Sequence, residues 1–279
     1  MVKMSTLRGL IVVAVKRGCD IFQLNVNNTF FHRDLNEEVF MEIPPRLMVP
    51  KLGLKEWDIF GVFSSDLGRL HYFLGLEILY KNDGIIISQI KFVIDLLKEY
   101  VYLSCSPLSS PLDPSVKLKA KEEAPLSDPS CYRKLVRKLN FLTNTRLDIT
   151  FSVQHLSQFM QDPREPHLKA AYHLLRYLKT NPSLGIFFST DNDDMVKAYR
   201  DSDWAFCPDS RKSVTSYIVL LGNSHISWKS KKHETISLSS TEAEYRSIRK
   251  VVGELMWLQR LLEELTFPFY SPIVVFCDS

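Results

Sequence analysis

Three carboxylates have the type and placement to do chemistry. Asp201 follows residues 195–200, an apolar-patterned run that reads as a strand. Asp278 follows the apolar run Ile273-Val274-Val275-Phe276. Glu244 lies in the first turn of a long helical stretch over 241–265. Two strand-end aspartates and one inward glutamate would offer hard oxygen ligands to Mg²⁺ or Mn²⁺. A pair of such ions about 3.5–4 Å apart activates water and stabilises the leaving oxygen in phosphodiester cleavage. Strand-end aspartates also cap turns, and a first-turn glutamate also suits the positive end of a helix. The pattern alone leaves both readings open.

The helix has a second acid, Glu242, and periodicity separates the two. Ile248, Val251, Val252, Leu255, Leu258 and Leu262 define the expected buried face. Glu244 precedes Ile248, Val251 and Leu255 by four, seven and eleven residues, which places it on that face. Glu242 is about 200° away around the wheel, so it is expected to face solvent or to cap the helix behind Ser239, Ser240 or Thr241.

Basic side chains form a second candidate set. Lys229, Lys231 and Lys232, with His233, flank Trp228, and Arg211 and Lys212 would extend the patch if the strands pair. Such a cluster suits the phosphates of an RNA–DNA hybrid; it equally suits a solvated turn. Arg133, Lys134, Arg137 and Lys138 share another helix, with the same two readings.

These residues need elements to hold them. The final segment reads as strands at 195–200, 214–221 and 225–228, the helix, and a strand at 272–276. Before it, helices are expected at 132–144, 148–160 and 165–180. The last of these begins beside Pro163 and Pro166. Residues 104–130 are rich in Pro, Ser, Lys and Glu and read as a linker or extended strap. Residues 189–194 form a second polar break. The front of the chain reads as a helix at 5–16, a strand at 21–26, a hairpin around Asn82-Asp83-Gly84, and a helix at 90–102.

With 279 residues, 45% of them hydrophobic, the chain can bury a sizeable core, and its length suggests about two domains. A net charge of +3 confines nucleic-acid contact to local patches. The five cysteines are scattered with no Cys-x-x-Cys pair, which argues against structural zinc. No run reaches the roughly 20 apolar residues of a membrane span. The expectation is an intracellular, non-secreted protein with no membrane segment.

The ordered texts around the carboxylates resemble the copia class of LTR retrotransposon Pol polyproteins. They run from Tyr199-Arg200-Asp201-Ser202-Asp203-Trp204-Ala205 through Arg211-Lys212-Ser213 and Ile226-Ser227-Trp228-Lys229-Ser230-Lys231-Lys232. Ser239-Ser240-Thr241-Glu242-Ala243-Glu244-Tyr245, Glu254-Leu255-Met256-Trp257-Leu258 and Cys277-Asp278 follow. The resemblance implies an RNase H domain whose metal acids fall on Asp201, Glu244 and Asp278. Upstream, Leu24-Asn25-Val26 with Phe30-Phe31-His32-Arg33-Asp34-Leu35 resembles the start of the family's reverse-transcriptase palm. Asp66-Leu67-Gly68 with Tyr72-Phe73-Leu74-Gly75 resembles the segment after its active site.

The departures bear on activity. Asn25 stands where the family has its first palm aspartate, the Tyr-x-Asp-Asp strand has no counterpart, and Ser216 replaces a glycine. The family's fourth nuclease acid lies downstream of its Cys-Asp strand, whereas Ser279 follows Asp278. The resemblance therefore implies a mixed α/β (α+β) chain. A disrupted reverse-transcriptase palm occupies 1–103, the linker 104–130, a helical connection region 131–194, and an incomplete RNase H-like βββαβ domain 195–279. DNA polymerisation is expected to be lost, and nuclease activity to be weak or absent and dependent on Mg²⁺ or Mn²⁺. The expected partners are RNA–DNA hybrid or other nucleic acid, bound weakly, and intact retroelement proteins.

Overall fold

A computed structural model describes residues 3–26, 64–121, 123–267 and 272–277. The chain mixes helix and sheet and divides into two compact units, residues 20–70 and residues 1–19 with 71–279. Compactness thus groups the front helix with the C-terminal portion, whereas the domain expectation followed composition.

In the smaller unit, β1 (Phe22–Val26) pairs antiparallel with β2 (Ser64–Arg69). Asn25 stands opposite Ser65 and Leu24 opposite Asp66. The backbone of Asn25 is described here, but its side chain is not.

The larger unit begins with α1 (Met4–Lys16). A mixed-length sheet follows, with β3 (Tyr72–Phe73), β4 (Leu76–Lys81) and β5 (Gly84–Ser88). The hairpin expected at Asp83-Gly84 joins β4 to β5. Gly84 is needed twice over. Its φ is +153°, and an added Cβ would lie 2.0 Å from the Phe188 carbonyl oxygen.

Helix α2 (Ile90–Glu99) is followed by the proline-rich segment, then α3 (Pro129–Leu142). A 3-10 turn at Leu147–Ile149 leads into α4 (Thr150–Ser157), and α5 spans Glu165–Thr180. Capping sets these starts. The Asp128 carboxylate accepts from Ser130 N at 2.8 Å with Pro129 in the first turn. The Arg164 N–H donates to His167 Nδ1 at 2.9 Å. The apolar stripes of these helices meet in one core that includes Leu97, Leu139, Leu156 and Leu174. Leu118 and Leu126 of the proline-rich segment are buried in it, so 104–130 is a strap across the helices.

After α5, β6 (Ile186–Ser189) returns to pair with β5, Ile85 facing Phe188. The last elements are β7 (Val196–Asp203), β8 (Val214–Leu221), β9 (Ser224–Lys232), α6 (Ser240–Glu264) and β10 (Val274–Phe276). Their strand, strand, strand, helix, strand order is the one expected. They form a four-stranded sheet ordered β10-β7-β8-β9, antiparallel except for β10, which lies parallel to β7.

One expectation needs correction. Val252 is exposed on α6, whose buried stripe is Ala243, Ser247, Val251, Leu255, Leu258 and Leu262. Helix α1 docks against β6, β9 and α6. It is anchored there by Lys16, whose ammonium donates to the Asp191 carboxylate at 2.7 Å and to the Asp193 carbonyl at 2.9 Å. No described helix is long and apolar enough to cross a membrane.

Candidate functional site

Strand alternation sorts the candidate residues between the two faces of the β10-β7-β8-β9 sheet. On β7, Val196, Ala198, Arg200 and Ser202 are buried, while Tyr199 and Asp201 are exposed. The register carries the division across the sheet, with Tyr217 opposite Arg200 and Ser216 opposite Asp201. Helix α6 packs on the face that carries Arg200. The opposite face floors a cleft of about 480 Å³, roofed by Leu147, Thr150 and Phe151. Asp201 lines that cleft beside Tyr199 and Phe276, whose rings stack at 4.8 Å between centroids.

Asp201 is exposed in the cleft, and its Oδ1 accepts from the neighbouring Ser202 N–H at 2.6 Å. Glu244 is in the first two turns of α6, on the sheet-facing side as expected, with its side chain 22% exposed. There it forms an ion pair with the Arg200 guanidinium, which is 3% exposed. Asp201 and Glu244 therefore meet opposite faces of β7. Asp278 lies outside the described residues. Among the described residues, no group of three or more His, Cys, Asp or Glu side chains comes together.

Glu242 behaves as its wheel position predicts. Ser239 caps α6 by accepting the Glu242 N–H at 3.1 Å, and the Glu242 carboxylate accepts the Leu238 N–H at 2.7 Å. That reciprocal arrangement satisfies amides that the first helical turn cannot.

The basic set is split by the same alternation. Lys229 and Lys231 are exposed on β9, and Arg211 is exposed in the loop before β8. Lys212 is half-buried. Lys232 turns to the other face, where its ammonium contacts Gln158 Oε1 at 3.0 Å and the Cys207 sulfur at 2.9 Å. Burial raises the Cys207 pKa, but hydrogen bonding to Lys232 and Ser210 outweighs it and leaves the thiol below its usual value. His233 is buried and meets Thr215 Oγ1 at 2.6 Å. Burial, reinforced by Lys250 and Arg246, holds its pKa at about 4, so it adds no charge at neutral pH.

On α3, Arg133 donates to the Met160 and Gln161 carbonyls, and Lys134 and Lys138 pair with Glu99. Those side chains are thus engaged within the protein, linking α3 to α2 and to the segment after α4.

Arg200 is the residue that motif reading passed over. The signal was the strand period itself: Arg200 is two residues from buried Ala198 and adjacent to outward Asp201.

The chain is similar over its whole length to two retrovirus-related Pol polyproteins. Identity is 33% with that of transposon RE1 from Arabidopsis thaliana and 28% with that of transposon TNT 1-94 from Nicotiana tabacum. The matches cover 24% and 27% of those relatives. It is also 38% identical to the uncharacterized mitochondrial protein AtMg00810 of Arabidopsis thaliana, over 69% of this chain and 80% of that protein. The chain belongs to the copia-type retrotransposon Pol family. It spans about a quarter of the length of the Pol polyproteins it matches. The match to the RE1 polyprotein occupies 351 aligned positions for 279 residues, so this Pol relative carries segments with no counterpart here. No family model and no solved structure matches the chain.

Proposed function

We propose that this chain is a degenerate Pol derivative, descended from an RNA-directed DNA polymerase and ribonuclease H, that no longer polymerises DNA. The observation that carries the reading is Asn25. An amide cannot serve as an anionic ligand to Mg²⁺, a hard cation that selects charged oxygens. The strand bearing it, β1, is hydrogen-bonded to β2, which contains the Asp66-Leu67-Gly68 text of the segment after the family's active site. The Tyr-x-Asp-Asp text is absent from the sequence. The unmatched segments of the RE1 Pol relative support the same reading.

We read the β7–β10 sheet with α6 as an RNase H-like domain. Its support is the strand order β10-β7-β8-β9, the parallel β10–β7 pair and the helix between β9 and β10. The Arg200–Glu244 pair disfavours residual nuclease activity, because the carboxylate is already neutralised.

A second reading, a non-catalytic nucleic-acid-binding module, rests on the cations along β9. Lys229 and Lys231 lie near Lys250 and Arg246 of α6. Burial, with Lys231 next, lowers the Lys250 pKa below its usual value. An RNA–DNA hybrid, or an intact Pol protein carrying one, is the partner this surface suits.

Two assays on the purified chain test these readings. Primer extension with Mg²⁺ or Mn²⁺ is expected to give no product; nucleotide incorporation would overturn the reading of Asn25. A labelled RNA–DNA hybrid is expected to bind weakly, with affinity falling steeply as salt rises, and to remain uncut. Cleavage that disappears in Asp201→Ala would replace the degenerate reading with a residual Mg²⁺-dependent nuclease.

A further inference from the structure

Residues 200 and 201 are neighbours on β7, and a strand sends neighbours to opposite faces. Asp201 goes to the cleft. Arg200 goes beneath α6, where its guanidinium is almost wholly removed from water. Arginine keeps its proton at any pH a protein tolerates, so a buried guanidinium requires an anion. Glu244 is that anion. The Arg200 Nε has no hydrogen-bond partner among the described residues, which leaves the glutamate as the main compensation for the buried charge.

The donor set around Glu244 therefore does not fit a divalent ion. A metal at this carboxylate would have to displace the guanidinium or sit beside a second buried positive charge. The nearest acidic residue on β7, Asp201, belongs to the other face.

We propose that Arg200 is a tethered cation that has taken the place of a divalent metal at Glu244, converting a ligand position into a structural ion pair between β7 and α6. Arg200 acts here as a positioning residue: it fixes the Glu244 carboxylate against the sheet and withholds it from external cations. The inference is independent of Asn25 and of the lost polymerase, since it concerns only the β7–α6 layer.

The test uses the full chain and Mn²⁺ alone, with no nucleic acid. Free Mn²⁺ is followed by electron paramagnetic resonance during titration. The native chain and Glu244→Gln are expected to titrate alike, because Glu244 is not a ligand. Arg200→Ser frees the carboxylate and is expected to bind Mn²⁺ at least about tenfold more tightly, a range typical of changes next to metal ligands. The double variant Arg200→Ser/Glu244→Gln is expected to lose that gain. Arg200→Lys keeps a positive charge in place and is expected to stay at the native level.

Folding is followed in parallel by thermal melting monitored by circular dichroism. If Arg200→Ser does not fold, the native chain decides the matter, since a structural pair predicts no Glu244-dependent rise in melting temperature with Mn²⁺. Tight Mn²⁺ binding by the native chain that weakens about tenfold or more in Glu244→Gln would overturn the proposal. So would a folded Arg200→Ser variant that gains nothing.

Discussion

The helical core and the layer between α6 and its sheet are both buried, yet they are built on different principles. The core joining α2 to α5 is dominated by leucines that water does not reach. Some of its large polar groups are matched: the Tyr132 hydroxyl donates to the Leu156 carbonyl at 2.8 Å, and both nitrogens of His167 are engaged. Buried Arg146 meets the Asp148 carboxylate and the Asn181 carbonyl.

The α6 layer is apolar at one end, with Val196, Ala198, Val219, Val251 and Leu255, and polar at the other, with Arg200, Ser202, Thr215, His233 and Ser247. At that polar end, Arg200 Nε, Ser202 Oγ, His233 Nδ1 and Ser247 Oγ lack hydrogen-bond partners among the described residues. Unpartnered buried polar groups are costly, and the helical region carries that cost too, at Gln89 Nε2, Thr150 Oγ1, His155 Nδ1 and Arg164 Nε.

The sharpest break of this contrast is a cavity. Leu139→Ala in the core, at a residue with no exposure, is expected to cost about 3–4 kcal/mol, measured by urea denaturation. A loss below about 1 kcal/mol would mean that the core is not the main source of stability.

Next is Glu244→Ala. It leaves the Arg200 guanidinium buried without its anion and is expected to cost about 3 kcal/mol, read by the same denaturation. Replacing both residues with apolar ones is expected to recover most of that loss.

A smaller effect comes from pH. Burial lowers the pKa of both His155 and His233 to about 4, below the value of about 6.5 in an unfolded chain. Between those values the unfolded state binds more protons, so stability is fully present above pH 6.5 and falls as pH drops towards 4. On the order of 2 kcal/mol for each histidine is expected to disappear between pH 7 and 4.5. His233→Phe should reduce the pH dependence of the melting temperature; an unchanged slope would place the titration elsewhere.

The smallest effect tests the surface. Lys134, 64% exposed and paired with Glu99, is expected to cost less than about 0.5 kcal/mol on replacement by alanine. A larger loss would mean that the Lys134–Glu99 pair contributes more than an exposed ion pair does.

The sequence by itself determined most elements and several roles within them. Helix α5 begins and ends where its prolines and leucine stripe say it should, Gly84 marks its turn, and Glu242 separates from Glu244 by helical angle alone. Period, capping and turn preference are local, encoded within a few residues, and remain legible without the rest of the chain.

Tertiary structure decided the partners. Strand β6 is only four residues long, too short to declare itself. It exists because Phe188 comes to rest against Ile85, a hundred positions earlier. The docking of α1 onto β9 and α6, the diversion of Lys232 towards Gln158 and Cys207, and the pairing of Arg200 with Glu244 all join distant segments. Arg200 finds its counter-charge 44 positions away and not in adjacent Asp201. Which carboxylate a buried guanidinium finds is settled only when the sheet and the helix close over it.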